Sequence, residues 1–341
     1  LLLCSSFCYR MENMENNTRI SEFILVGFKS HPGSQLLLSV LFSTMYIVTV
    51  VGNVCIILII RMDSNLHTPM YFFLENLSTL DICYSSVITP RAALAFLLGR
   101  RNISYNGCAS QMFFFSLFGT TEAFFLAAMA YDRFTAICNP LLYQVIMSKR
   151  LCVLMVMGSY LSGCINCTIQ TGFTFSLSFC GPGEINHFFC DVAAVIHASC
   201  SNTLVNELVM LAVCGFIIVG TALVVFISYG YIIITIIQMP SAESRHKAFS
   251  TCSSHMMTIC FLIFIPSIFT YAQPDKKHPR DKVASIVYTV VTPMLNPMIY
   301  TLRNTEMKKA IRRTLGKIFL SGGIQKPHRI ADPKTSNLVF P

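Results

Sequence analysis

Only a few residues in this chain have the type and spacing to do chemistry. Asp132 and Arg133 stand side by side, and Asn296-Pro297-Met298-Ile299-Tyr300 sets an amide and a phenol on either side of a proline. Asp81 and Glu122 are the only acids deep inside long apolar blocks. An ionised carboxylate in such a setting is costly, so it takes up a proton or a cation or serves a function. Arginine does not give up its charge. Arg133 is therefore either held by Asp132 or snorkels to lipid headgroups. Fifteen cysteines are present, most of them in apolar blocks where a thiol behaves as a small apolar group. Cys108, Cys180, Cys190 and Cys200 differ, because they flank or lie within a polar loop. Four cysteines permit three connectivities; the expectation here is Cys108 with Cys190 and Cys180 with Cys200, against some remaining reduced. His187-Phe188-Phe189-Cys190-Asp191 could offer imidazole, thiolate and carboxylate to a soft metal. If Cys190 is in a disulfide, the segment is a loop anchor instead, and the expectation is no metal and no cofactor. The sequence contains no His-Glu-x-x-His, no phosphate-binding glycine loop and no Gly-x-Ser-x-Gly. It is not read as an enzyme.

The elements that must position these residues are membrane spans. Of 341 residues, 54% are hydrophobic and 12% charged, roughly half the charge of an ordinary soluble domain. The apolar residues fall into blocks long enough to cross a hydrocarbon core of about 30 Å. Seven spans follow: Leu36 to Ile60, Met70 to Leu94, Cys108 to Phe134, Leu151 to Gly172, Leu204 to Gln238, Ala248 to Tyr271 and Val283 to Leu302. The fold class is an all-α membrane protein, a seven-transmembrane-helix bundle with a short amphipathic helix after the seventh span. Gly52, Pro90, Gly163, Pro266, Pro293 and Pro297 lie inside spans, where membrane helices tolerate them. Residues 1–35 form an extracellular N-terminus, with 1–13 read as upstream of a natural start at Met14. Residues 36–302 are the transmembrane domain and 303–341 a cytoplasmic tail.

Basic residues favour the cytoplasmic side, and this orientation places most Lys and Arg inside, largely in the tail, although Lys276, Lys277 and Arg280 run against the rule. Asn16-Asn17-Thr18 is a lumenal glycosylation acceptor in this reading, and Asn102-Ile103-Ser104 lies close to the membrane. Asn76 and Asn166, although in sequons, fall inside spans and should stay unmodified. Residues 303–316 carry Met307, Ile311 and Leu315 at helical spacing among basic residues, which suits a helix lying on anionic lipid. No internal repeat suggests a transporter, and no nucleic-acid partner is expected.

Four motifs in order carry a family resemblance over about Asn16 to Arg313. Pro69-Met70-Tyr71-Phe72-Phe73-Leu74, Met129-Ala130-Tyr131-Asp132-Arg133, Lys247-Ala248-Phe249-Ser250-Thr251-Cys252 and Pro293-Met294-Leu295-Asn296-Pro297-Met298-Ile299-Tyr300 resemble the signatures of vertebrate olfactory receptors, the tetrapod-type class of these rhodopsin-like G-protein-coupled receptors. The chain departs from the pattern at Phe134 and Asn139, where relatives usually carry Tyr and His, and in the sixth span, Phe261-Leu262-Ile263-Phe264-Ile265-Pro266. It also lacks Trp altogether, so Phe264 is the stand-in for the superfamily's aromatic switch. The resemblance implies small odorant ligands, a stimulatory heterotrimeric G protein that raises cyclic AMP, a plasma-membrane location, and rearrangement of Asn296, Pro297 and Tyr300 on activation.

The residues can be read beside that resemblance. The 25 steps from Cys108 to Arg133 span about 38 Å at 1.5 Å each, so Asp132-Arg133 sits at the opposite membrane face, where a cytosolic partner docks. Pro297 removes a helical hydrogen bond, and Asn296 is expected to satisfy the freed carbonyl; a static kink is the plain alternative. Asp81 and Glu122 should share a depth with Asn53 and Asn296 as a buried cluster holding sodium or a proton. Met112, Phe115, Ser116, Gly119 and Thr120 share one face of the third span, and Met210, Val213, Cys214 and Ile217 share one face of the fifth. With Phe264 and Tyr288 they define an apolar pocket with a few hydroxyls, or else they merely pack helices together.

Overall fold

The computed structural model describes residues 20–27, 32–242, 245, 285–303 and 305–321. The expected sixth span, with Phe264, and the acceptor Asn16 lie outside the described residues, as do the side chains of Tyr288 and Tyr300. Five of the described helices are long and apolar enough to cross a membrane: α1 (Pro32–Met62), α2 (Pro69–Leu98), α3 (Tyr105–Cys138), α5 (Lys149–Phe175) and α7 (Leu204–Gln238). Two short helices, α4 (Tyr143–Ile146) and α6 (Val192–Ile196), sit in the loops between them. A π-helical turn, Val287–Val291, leads into α8 (Thr292–Arg303), and α9 (Thr305–Ser321) follows. The observed ends of α1, α2, α3 and α5 run one to four residues past those read from hydropathy, and in the last three of these capping residues outside the apolar blocks set them. Pro69 opens α2 and Gly99, at φ 65°, closes it. The side chains of Ser104 and Ser148 accept from Gly107 N and Leu151 N at the starts of α3 and α5.

α3 is the central helix, packed against α2, α5 and α7. Small residues allow the close approaches that membrane helices use in place of a hydrophobic drive. A Cβ on Gly163 of α5 would lie 2.8 Å from the Leu117 carbonyl oxygen of α3, and one on Gly52 of α1 would lie 3.1 Å from the Pro297 ring of α8. The outer faces of α1, α5 and α7 leave Leu37, Leu154, Phe216 and Leu223 exposed. Such a belt is too large and continuous for a water-facing surface; lipid chains are its natural cover.

A small sheet closes the end of the bundle where α3 begins. β1 (Glu22–Leu25) lies between β2 (Asn102–Ser104), antiparallel, and β3 (Glu184–Ile185), parallel. Gly183 makes the third strand possible: its φ is +63°, and a Cβ there would press 3.1 Å from Glu22 O and from Ile20. Phe23 at the strand centre is fully buried among Tyr105, Phe175 and Phe179, with ring centroids 5.1 to 6.4 Å away. Two disulfides, Cys108–Cys190 and Cys180–Cys200, fix the loop between α5 and α7.

α9 corrects the sequence reading in one respect. Met307 is fully buried with Ala310 in a cluster containing Ile56, Ile60 and Leu66, so this part of the apolar face meets α1 and the following turn rather than lipid. Arg313 then pairs with Asp63 at 2.8 Å. Burial pushes the Asp63 carboxyl up, but hydrogen bonds from Arg313 and Asn65 and the Arg313 charge outweigh it and hold the group below its ordinary range.

Candidate functional site

The C-terminal end of α3 carries one buried carboxylate with two partners. Asp132 is wholly buried; Arg133 pairs with its Oδ2, the Nε lying 3.0 Å away. Tyr143, from α4, donates to the other oxygen, Oδ1, at 2.8 Å. Burial and the neighbouring Asp132 charge push the Tyr143 phenol well above its ordinary range, so it remains a donor at any physiological pH. Beside it, α4 and the residues before it turn Leu141, Leu142 and Val145 outward, the first 96% and the last 75% exposed.

Halfway across the bundle a second polar group gathers. Asn296 Nδ2 lies 3.0 and 3.3 Å from the two oxygens of Asp81. Glu122 is close enough to interact with both Asp81 and Asn296. Pro297 has no N–H to give to the Pro293 carbonyl one turn back, and the expected donor, Asn296, is committed to Asp81. Asn53 Nδ2 from α1 serves that carbonyl instead, at 3.3 Å. Asn53 also bonds its own helix at Thr49 O, and among the described residues no hydrogen bond joins it directly to either acid. Asn53 Oδ1, Asn296 Oδ1 and Glu122 Oε1 are buried without a hydrogen-bond partner among the described residues.

In the N-terminal half of α3, the expected face divides among three neighbourhoods. Met112 is fully buried beneath the Cys108–Cys190 bridge with Phe175, and Met210 packs against the same cluster. Phe115 lies between Tyr84 and Phe189, at centroid distances of 5.6 and 5.0 Å. A Cβ on Gly119 would meet only Tyr84, at 3.6 Å. Thr120 turns to α5, where Asn166 Nδ2 donates to its Oγ1 at 2.7 Å, and Ser116 is buried nearby on α3. The split arises because α3 is central: five positions on one face of a central helix meet different neighbours. On α7, Met210, Val213, Cys214 and Ile217 are half-buried beside exposed neighbours, as an inward stripe requires.

The loop segment from His187 to Asp191 is fully engaged in structure. Cys190 is in a disulfide, and its N–H donates to Gln111 Oε1 at 3.0 Å. Asp191 caps α6 by accepting from Ala193 N and Ala194 N; burial raises its carboxyl above the ordinary value despite those bonds. His187 Nε2 and Ser285 Oγ are 3.0 Å apart. These contacts make the segment an anchor and leave no thiolate for a metal.

Comparison with known proteins settles the family. Residues 42–318 match the family model described as olfactory receptor. The chain belongs to the olfactory receptor family. It is 54% identical to human olfactory receptor OR9H1 over 309 residues, covering 90% of this chain and 100% of that one. Human olfactory receptor 5B12 is 47% identical, with 91% and 99% covered, and mouse olfactory receptor 5AP2 is 48% identical, with 88% and 95% covered. Squid rhodopsin shares the fold at TM-score 0.62 and 18% identity, over 87% of this chain and 90% of its own.

An olfactory receptor is a multi-pass membrane protein of the seven-helix receptor fold and not an enzyme, and the transporter reading falls away. The olfactory receptor motifs lie where the geometry uses them: Asp132-Arg133 at one end of α3, and Asn296-Pro297 against Asp81. Sequence reading missed Tyr143, Gln111, Asn166 and the Asn53 bond to Pro293. A polar residue inside a span was the available signal for Gln111 and Asn166. Tyr143 lies in a loop and offered none.

Proposed function

We propose that this olfactory receptor binds small, mostly apolar, volatile ligands in the extracellular half of its bundle. The pocket is lined from Met112, Phe115, Ser116, Gly119 and Thr120 on α3, Met210, Val213, Cys214 and Ile217 on α7, and Phe264 and Tyr288 beyond. The observation that carries this placement is the inward stripe of α7 facing an α3 surface whose polar groups are hydroxyls. Apolar walls with a few hydrogen-bonding groups are the usual character of a small-molecule site. No acid occupies the upper part of α3, so a protonated amine lacks a counter-ion there.

Signal leaves at the other face. Arg133, released from Asp132, meets a heterotrimeric G protein of the stimulatory, cyclic-AMP-raising type, with exposed Leu141, Leu142 and Val145 as the apolar part of that contact. Between the two, Asn296, Pro297 and Tyr300 act as the switch, and Asn53, Asp81 and Glu122 hold a proton or a sodium ion beside it. The receptor works at the plasma membrane with its N-terminus outside, glycosylated at Asn16, and the basic face of α9 rests on membrane lipid. Cells expressing the chain and exposed to a ligand panel test the reading. Ligand-dependent cyclic AMP that requires the G protein supports it; solute flux without G-protein activation contradicts it.

A further inference from the structure

Two amides on α5 lie in the membrane interior, and the pocket reading gives neither a role. Asn166 and Gln170 are one turn apart, so they share a face; they are 5% and 2% exposed. Asn166 Nδ2 donates to Thr120 Oγ1 of α3, and its Oδ1 has no hydrogen-bond partner among the described residues. Gln170 Nε2 donates to the Cys214 sulfur of α7 at 3.4 Å, and sulfur is a weak acceptor. These contacts join three helices in a short polar strip. Its α7 member is half-buried on the inward stripe.

A buried amide atom left unpaired costs the full desolvation of that atom, and no water of the bulk reaches it inside a bilayer. Exchanging the amide oxygen and nitrogen, which the Thr120 contact also permits, leaves the nitrogen open instead. One end of Asn166 lacks a partner among the described residues in either orientation. A hydroxyl both donates and accepts, so it satisfies whichever end is open. The strip's own members, Thr120, Asn166, Gln170 and Cys214, bring no fixed charge. A carboxylate or ammonium would therefore enter with its charge unmatched by them, whereas a neutral group would not.

We propose that Thr120, Asn166, Gln170 and Cys214 form a polar subsite between α3, α5 and α7 that receives the hydroxyl of a small aliphatic alcohol, its carbon chain lying along the apolar stripe of α7. This assignment rests on the pocket reading above and narrows its ligand class.

The test uses the full chain in cells, with straight-chain aliphatic alcohols each paired with the methyl ether of the same carbon chain, and surface-normalised cyclic AMP curves. In the unaltered receptor the alcohols outperform their ethers. Asn166→Leu raises the alcohols' half-maximal concentration roughly five- to tenfold, the worth of one hydrogen bond, and leaves the ethers in place. Thr120→Val gives the same pattern and replaces Asn166→Leu if that variant does not reach the surface. Equal shifts of alcohols and ethers, as loss of a merely structural contact would give, overturn the subsite, as do ethers that match the alcohols in the unaltered receptor. Gly119→Leu separates this from the pocket itself. Losses graded by ligand size in that variant, together with an Asn166→Leu shift blind to the hydroxyl, sink the subsite alone. If Gly119→Leu instead lowers every response equally, the pocket reading fails with it.

Discussion

The two ends of this receptor are closed by different chemistry. At the end where α3 begins, two disulfides, a three-stranded sheet and a cluster around Phe23 bind the N-terminal strand, the loop before α3 and the long loop after α5 into one cap. At the opposite end, Asp132 is held by Arg133 and Tyr143, and Asp63 by Arg313. Covalent bonds and ring packing give a fixed shape, which suits the end where the ligand pocket is proposed. Ion pairs and single hydrogen bonds can be exchanged for equivalent ones without unfolding a helix. That suits the end that changes partners.

The largest effect should come from breaking the covalent closure. The Cys108–Cys190 bond spans 82 residues, and loss of a native disulfide of that loop size costs about 2 to 5 kcal/mol. Cys108→Ser and Cys190→Ser should each remove most receptor from the surface, and the double variant should be no worse than either single, because the partners share one loss. A double variant clearly worse than both would separate the two residues. Arg133→Ala attacks the opposite end. Surface delivery should stay near normal while cyclic AMP signalling falls to background; full signalling by this variant would remove Arg133 from the docking face.

Smaller changes sharpen the contrast. Tyr143→Phe deletes one hydrogen bond to a carboxylate, worth about 1.5 to 3 kcal/mol, and should raise ligand-independent cyclic AMP several-fold by loosening Asp132. Unchanged basal output would mean that the Tyr143 bond does not restrain the pair. The smallest effect belongs to Asp63. Its carboxyl is held below the ordinary value, so its stabilising contribution is present above about pH 4 and is lost as pH falls through the lowered value. Asp63→Asn should slightly lower the melting temperature at neutral pH and flatten the acid side of the stability profile. A variant as acid-sensitive as the unaltered receptor would show that other carboxylates set that slope.

The membrane spans were the most legible part of the fold, since twenty or so apolar residues need no tertiary partner to declare themselves. Leu204–Gln238 was read to both ends. The cap was not legible: β1 has four residues, and its partners lie 82 and 160 positions away in the pairings of Glu22 with Ser104 and Ile24 with Glu184. No local pattern specifies such a pairing. For the polar core the residue types were visible but their partners were not. A proline announces an orphaned carbonyl, yet which side chain serves it depends on how α1 docks against α8, and that choice fell to Asn53 rather than Asn296. The α3 face was likewise found by periodicity, while its division among Tyr84, Phe189 and Asn166 follows from neighbours that periodicity does not name.

Hydrogen–deuterium exchange on the purified receptor, with and without an activating ligand and its G protein, tests the contrast between the two ends most directly. Residues 131–147, which carry the Asp132, Arg133 and Tyr143 bonds, should change their exchange when ligand and G protein bind. The backbone bonds joining Glu22–Leu25, Asn102–Ser104 and Glu184–Ile185 should stay equally protected throughout. Changed protection in the three-stranded sheet with residues 131–147 unaltered would contradict the account.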